Sequence, residues 1–353
     1  MPATSVLVVD DSALMRRALK GILTDAGDFE VHTARNGVDA LEQLNRLQPD
    51  VVTLDINMPE MDGLTCLTKI MQERPTPVVM VSSLTEHNAL VTLEALELGA
   101  VDYVPKPGGT VSLNIEEVAA DLVSKVRGAS AARLKRASGL TSRIRAQSQR
   151  AAAPPRRKPG AVGTVDLVLI GSSTGGPALL SDLLPQLPGS FGAPVVVAQH
   201  IPASFTGALA RRLDEICPLR VLEVDRIMTM RRGNIYIGRG NADVVVSRRT
   251  DGLIVKSVPA AAEYRWHPSV DRLVASARRY IDPQRLVCAL LTGMGDDGAT
   301  EMTAVKEGGG RTIAEAEETA VVWGMPGELA RRGGATVVLP ADEIAGLLAD
   351  WVR

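Results

Sequence analysis

Along most of the chain, short apolar runs alternate with longer stretches whose apolar positions recur at helical spacing. In the first third, "SVLVVD" at 5–10, "DVVTLD" at 50–55, "TPVVMVSS" at 76–83 and "DYVPKP" at 102–107 have the length and β-branched content of buried strands. Between them, "ALMRRALKGILTDAG" and "ALVTLEALELGA" carry the 3.6-residue period, and each stops at a glycine. Ile115, Val118, Leu122 and Val126 then share one helical face. Strands alternating with helices predict a parallel sheet covered on both sides.

The pattern lapses over 128–163 and resumes at "VDLVLIG" (165–171). A glycine turn, a helical "PALLSDLLPQL", the strand "GAPVVVAQHIP", the strand–loop–helix "RLVCALLTGMGDDGATEMTAV" and "GGATVVLP" follow, a second wound α/β pattern. Residues 218–263 are less regular, with short β-like pieces "NIYIG", "DVVVS" and "GLIVKSV". Charge divides the chain in the same places. Residues 1–127 hold 10 Lys/Arg against 19 Asp/Glu, 128–163 hold nine basic residues and no acidic one, and 164–353 hold 20 against 22. The expected organisation is therefore a domain at 1–127, a basic Ala/Ser/Arg/Pro linker at 128–163 with a helical start near Leu134, and a second domain at 164–353.

Composition narrows the function classes. A formal net charge of −2 gives no general attraction to nucleic acid or membrane, and no apolar run approaches the length of a membrane span. Three widely spaced cysteines, Cys66, Cys217 and Cys288, fit no metal motif and suit a reducing cytoplasm; no signal peptide is expected. A DNA-binding output domain would need a compact basic region with a recognition helix, and 164–353 carries neither.

Chemistry collects at strand ends. Asp10, Asp11 and Asp55 each follow an apolar strand, so a parallel sheet brings them to one rim, with Ser82 or Ser83 and Lys106 ending two further strands. Three crowded carboxylates repel unless a cation joins them; hard oxygen ligands suit Mg²⁺, and an aspartate is a possible nucleophile toward phosphate. In the second domain, "LIGSSTGGP" lacks both a Gly-x-Gly-x-x-Gly pattern and a Lys–Ser/Thr pair, which a phosphate loop would want. It does contain Gly-x-Ser-x-Gly over Gly171, Ser173 and Gly175, the spacing of a strained elbow that lifts a serine from its strand. His200 ends the strand expected beside that of the serine, and Asp296 and Asp297 follow another. Such a set can activate a serine, with glycine-rich backbone serving an oxyanion. The chain order Ser, His, Asp departs from the α/β-hydrolase order.

The motifs "VVDDS", "DINMPEMDGL", "VSS" and "YVPKP" resemble the receiver domain of bacterial response regulators. "IGSSTGGP", "QHIP", "HPSVDRL" and "LLTGMGDDG" resemble the catalytic domain of the chemotaxis protein-glutamate methylesterase/glutaminase (CheB) family, and the receiver-plus-linker arrangement matches that family too. The resemblance implies a flavodoxin-like receiver with a five-stranded parallel sheet, and a doubly wound α/β esterase domain. It implies phosphorylation of Asp55 by a chemotaxis histidine kinase, Mg²⁺ at Asp10, Asp11, Asp55 and the Asn57 carbonyl, and Ser82, Tyr103 and Lys106 as switch residues. In the esterase it implies Ser173 as nucleophile, His200 as acid and base, Asp297 as orienting carboxylate, the Met294 N–H as oxyanion donor with Thr174 beside the nucleophile, and no cofactor. The implied substrate is a methylated glutamate, or a selected glutamine, on the cytoplasmic helices of a chemoreceptor, and the unphosphorylated receiver would cover the triad. Two departures stand out. Ser172 replaces the alanine common in the family, and Asp296 leaves the choice between adjacent aspartates to the family pattern.

Overall fold

The computed structural model describes residues 3–83, 86–106, 115–132 and 165–352; the linker from 133 onward and the helix expected near Leu134 lie outside them. The first domain runs β1 (Thr4–Val9), α1 (Ala13–Asp25), β2 (Phe29–Ala34), α2 (Gly37–Leu47), β3 (Val51–Asp55), α3 (Gly63–Glu73), β4 (Val78–Ser82), α4 (Glu86–Glu97), β5 (Asp102–Pro105) and α5 (Ile115–Ser130). The five strands form one parallel sheet in the order β2-β1-β3-β4-β5. β2, "FEVHTA", has no apolar run to announce it, because as an edge strand it buries only alternate residues. Side chains of Ser12, Asn36 and Asp62 accept N–H groups at the starts of α1, α2 and α3, which fixes where the chain leaves the acidic rim. α5 continues to Ser130, beyond the expected boundary at 127.

The second domain contains β6 (Leu167–Ser172), α6 (Gly176–Leu183), β7 (Val195–Gln199), α7 (Ala203–Ile216), β8 (Arg220–Val224), β9 (Met228–Thr229), β10 (Asn234–Gly238), β11 (Ala242–Arg249) and β12 (Gly252–Pro259). It continues with α8 (Val270–Arg278), β13 (Leu286–Leu290), α9 (Ala299–Glu307), β14 (Arg311–Glu315), α10 (Met325–Arg331), β15 (Val337–Leu339) and α11 (Ala341–Val352). Seven strands pair in parallel in the order β15-β14-β13-β6-β7-β10-β8. The irregular stretch resolves into two destinations. "NIYIG" enters this sheet as β10, whereas β11 and β12 form an antiparallel hairpin extended by β9.

Alternation along β6 divides the core. Val168 and Ile170 face α6, α7 and α11, while Leu167 and Leu169 face α8, α9 and α10. β6 comes first in sequence yet sits between β13 and β7, so the chain winds away from it on both sides. That reversal leaves a crevice beyond the carboxyl ends of the three strands, where ligands of open α/β sheets bind.

The two domains share one apolar cluster, which runs from the first sheet through Tyr103 into Phe205 of α7, with ring centroids 4.4 Å apart. Around it, Glu97 of α4 pairs with Arg212 of α7 (Nε–Oε1 2.7 Å), and Asp102 Oδ2 accepts the Thr174 hydroxyl at 2.5 Å. A Cβ on Gly128 of α5 would lie 2.8 Å from Met294 Sδ, so α5 rests against the loop after β13.

Candidate active site

Ser173, His200 and Asp297 follow β6, β7 and β13, three neighbouring strands whose registers align Ser172 with Gln199 and Gly171 with Leu290. The chain turns at once after Ser173. Gly175 takes φ +78° as N-cap of α6, Pro177 occupies the first turn, and the Ser173 carbonyl accepts Gly176 N–H at 2.8 Å. Ser172 points the other way. It is fully buried and donates to Gln199 Oε1 at 2.6 Å, while Gln199 Nε2 donates to the carbonyls of Ser173 (2.9 Å) and His200 (3.1 Å). The second hydroxyl of the motif is therefore a tie between β6 and β7 rather than a companion to Ser173.

His200 and Asp297 meet at 2.8 Å, Nε2 to Oδ2, with 8% and 6% of their side-chain surfaces exposed. Asp296 instead turns outward toward Arg332, 3.4 Å away. Asp297 also accepts Val270 N–H on Oδ2 (2.7 Å), and Asp271 N–H and the Ser269 hydroxyl on Oδ1 (both 3.0 Å). Burial opposes its ionisation, but His200 and the Asp271 and Val270 N–H groups outweigh it and hold the carboxyl below the usual aspartate range. With Nε2 committed to the carboxylate, His200 Nδ1 is buried with no hydrogen-bond partner among the described residues. The imidazole is thus turned about relative to the common triad, in which Nδ1 faces the acid. Trp266 stacks on its face, centroids 5.5 Å apart and planes 14° from parallel.

Met294 lies in a loop stitched to its surroundings. Thr292 O accepts Ser173 N–H (2.9 Å), Gly293 N–H donates to Val322 O, and Gly293 O accepts Met325 N–H. A Cβ on Gly293 would lie 2.8 Å from Ser173 Cβ, so only glycine lets this backbone approach the serine. Thr174 is buried and turned to Asp102 of the first domain.

On the first domain's rim, carboxylate oxygens of Asp10, Asp11 and Asp55 lie within 4.8 Å of one another. Lys106 Nζ stands 2.9 Å from Asp10 and 2.8 Å from Asp55. Burial pushes the Asp55 carboxyl up and Asp10 adds to this, against Lys106 and the Asn57 N–H. Burial acts to lower the Lys106 ammonium, but the two aspartates outweigh it and raise it. One lysine does not balance three carboxylates, so the donor set fits a hard divalent cation such as Mg²⁺. Ser82 ends β4 with its Oγ 3.0 Å from Thr92 Oγ1. Tyr103 is 2% exposed, its hydroxyl buried without a partner among the described residues and its phenol pushed well up by burial.

Fold and sites together define a receiver-controlled hydrolase. Residues 168–348 match the family model of the CheB methylesterase, and residues 6–115 that of the response regulator receiver domain. A Rhodopseudomonas palustris protein-glutamate methylesterase/protein-glutamine glutaminase is 55% identical over 98% of this chain and 97% of its own length. One from Rhodospirillum rubrum is 55% identical over 99% and 96%. The solved Thermotoga maritima CheB methylesterase catalytic domain is 36% identical with TM-score 0.51, covering 53% of this chain and 99% of that one. The chain belongs to the protein-glutamate methylesterase/protein-glutamine glutaminase family.

Sequence reasoning passed over Gln199, Asp102, Trp266 and Ser269, although "QHIP" and "HPSVDRL" contain two of them. The contacts that tie them to the site, Gln199 to Ser173, Asp102 to Thr174, Trp266 to His200 and Ser269 to Asp297, span 26 or more residues, beyond any local pattern. Ser172→Ala should retain the hydrolytic rate while lowering unfolding free energy in urea by about 1–3 kcal/mol, because Gln199 Oε1 loses its buried donor.

Proposed function

We propose that the protein hydrolyses γ-methyl esters of glutamate, and deamidates selected glutamines, on the cytoplasmic helices of a chemoreceptor, with Ser173 as nucleophile. The observation that carries this reading is the 2.8 Å His200–Asp297 pair at the strand end beside Ser173. Ser173 Oγ adds to the ester carbonyl carbon as His200 Nδ1 takes its proton. Asp297 holds the Nε2–H and stabilises the imidazolium. Negative charge on the carbonyl oxygen falls to the Met294 N–H. The tetrahedral adduct then expels methanol, which receives the proton from His200; an amide would release ammonia. Water, deprotonated by His200, attacks the acyl-enzyme, freeing the glutamate carboxylate and restoring Ser173.

Control belongs to the first domain. Asp55 accepts a phosphoryl group from the phosphohistidine of a chemotaxis kinase, and Asp10, Asp11, Asp55 and the Asn57 carbonyl would hold Mg²⁺. When bound, that ion compensates charge on the phosphoryl oxygens. Lys106 is at hand to pair with the added charge, and Ser82 and Tyr103 carry the change to the face bearing Asp102. Occlusion of the triad by the unphosphorylated receiver is supported by the Asp102–Thr174 bond and by the seating of α5 against Met294. Among the described residues no helix is long and apolar enough to cross a membrane; a cytoplasmic location accords with the chemistry of the substrate helices.

Ser173→Ala should abolish methanol release from methyl-labelled receptor membranes, at least 10³-fold, while thermal unfolding stays unchanged. A folded variant that keeps most of its rate would end the serine mechanism. Asp297→Asn should lower kcat by about 10⁴-fold with little change in KM, whereas Asp296→Asn should remain close to the parent. The reverse pattern would move the carboxylate role to Asp296. The Glu97–Arg212 pair tests occlusion without touching either site. Both side chains are about 30% exposed, so the pair contributes about 0.2–1 kcal/mol. Glu97→Arg should therefore raise the basal rate up to about fivefold, and the double exchange with Arg212→Glu should restore it. An unchanged basal rate in the single variant would point away from docking as the brake.

A further inference from the structure

The helix starts behind His200 exchange carboxylates. Asp297, in the loop leading into α9, fills the N-terminus of α8 by accepting Val270 N–H, Asp271 N–H and the Ser269 hydroxyl. Asp271, in the first turn of α8, fills the N-terminus of α9 in return, with Oδ1 accepting Glu301 N–H at 2.9 Å and the carboxylate accepting Gly298 N–H. The two starts are in close contact. Gly298 holds φ +90° as N-cap of α9, and a Cβ there would lie 2.6 Å from Val270 Cγ1. Neither helix caps itself fully, and each orients the acid that the other needs. Behind them, fully buried Asp243 accepts Ser269 N–H (2.8 Å) and His267 Nδ1 (3.0 Å) and pairs with Arg272, which anchors the start of α8 to β11.

Resting on the esterase reading above, we propose that Asp271 is a positioning residue for catalysis, locking the 296–298 loop to α8 so that Asp297 stays aligned on His200 Nε2. Its charge also bears on the imidazole. Burial, aided by the charges of Asp297 and Glu301, outweighs the N–H groups of Glu301 and Gly298 and pushes Asp271 up to about 6. Around it stand Asp297, Glu301 with its partner Arg278, Arg332 and Tyr264. Above that pH the ionised carboxylate adds negative potential beside the Asp297–His200 pair and favours the imidazolium. Removing the charge therefore weakens the stabilisation of positive charge at that pair.

The test is the pH profile of methanol release by the full-length protein, activated by a small phosphodonor, for the parent, Ser173→Ala, Asp271→Ala and Asp271→Asn. Asp271→Ala should cut kcat about 10- to 100-fold with KM within about twofold, the scale of loss for a displaced catalytic group. Asp271→Asn retains an acceptor for Glu301 and Gly298, so it should recover kcat on the plateau to within about threefold. Its acid limb should nonetheless move to lower pH by about half a unit or more, which a merely structural cap would not do. Circular dichroism checks that each variant is folded; should Asp271→Ala unfold, the Asp271→Asn profile decides alone. An Asp271→Asn acid limb identical to the parent, or a folded Asp271→Ala with parental kcat, overturns the proposal. Absence of methanol release from the parent itself would instead overturn the esterase reading.

Discussion

Burying a carboxylate is costly unless its lone pairs are filled, and the second domain is arranged around filling those of Asp297. Four donors converge on two oxygens: a ring nitrogen, a hydroxyl and two backbone N–H groups. Three of the four come from the start of α8, where unpaired N–H groups and the helix dipole both favour negative charge. Asp297 stays ionised for that reason, and an ionised acid is what a histidine needs to accept a proton in a dry site. The position of α8 against β6 and β13, the glycine at 298 and the buried Asp243 follow from the same requirement.

The two sites occupy equivalent places in their sheets. In each domain the chemistry lies beyond the carboxyl ends of parallel strands, where the chain must leave the sheet and backbone groups stand free. In the first domain the rim concentrates negative charge, which a phosphoryl group and a cation can enter. In the second it gathers N–H groups and one imidazole, which suits an oxyanion. Asp102 and Tyr103 begin the same strand that ends beside Lys106, so a change at the phosphorylation pocket and a change at Thr174 are separated by the length of β5.

Much of the fold was legible because buried parallel strands are short apolar runs and their helices keep the 3.6 period. The strand ends carrying Asp10, Asp55, Ser173 and His200 could be read for the same reason. β2 escaped because an edge strand buries one face only, and the allotment of "NIYIG" to the main sheet and of its neighbours to a hairpin depends on pairings far apart in sequence. Asp296 and Asp297 are indistinguishable as letters; one faces His200 and the other Arg332 because adjacent residues in a tight loop point apart. Ser172 stood out only as a departure from the family's alanine, and the register of β6 with β7 turns it into a buried partner for Gln199.

Tyr103 lies against Phe205 with its hydroxyl enclosed, so the α4–β5–α5 face of the receiver is already occupied by its own chain. Partners joined in one chain meet at an effective concentration set by the linker, up to the order of millimolar. Any separate protein that recognises this face must compete with that local supply, and at micromolar levels it loses unless the internal contact has first been loosened. On the occlusion proposed above, phosphorylation would act twice through one event: it would uncover the cleft at Ser173, and it would make a surface available to recruitment that was saturated before. Release and recognition would then be two readings of the same equilibrium, and a partner that binds the freed face would hold the enzyme open by mass action.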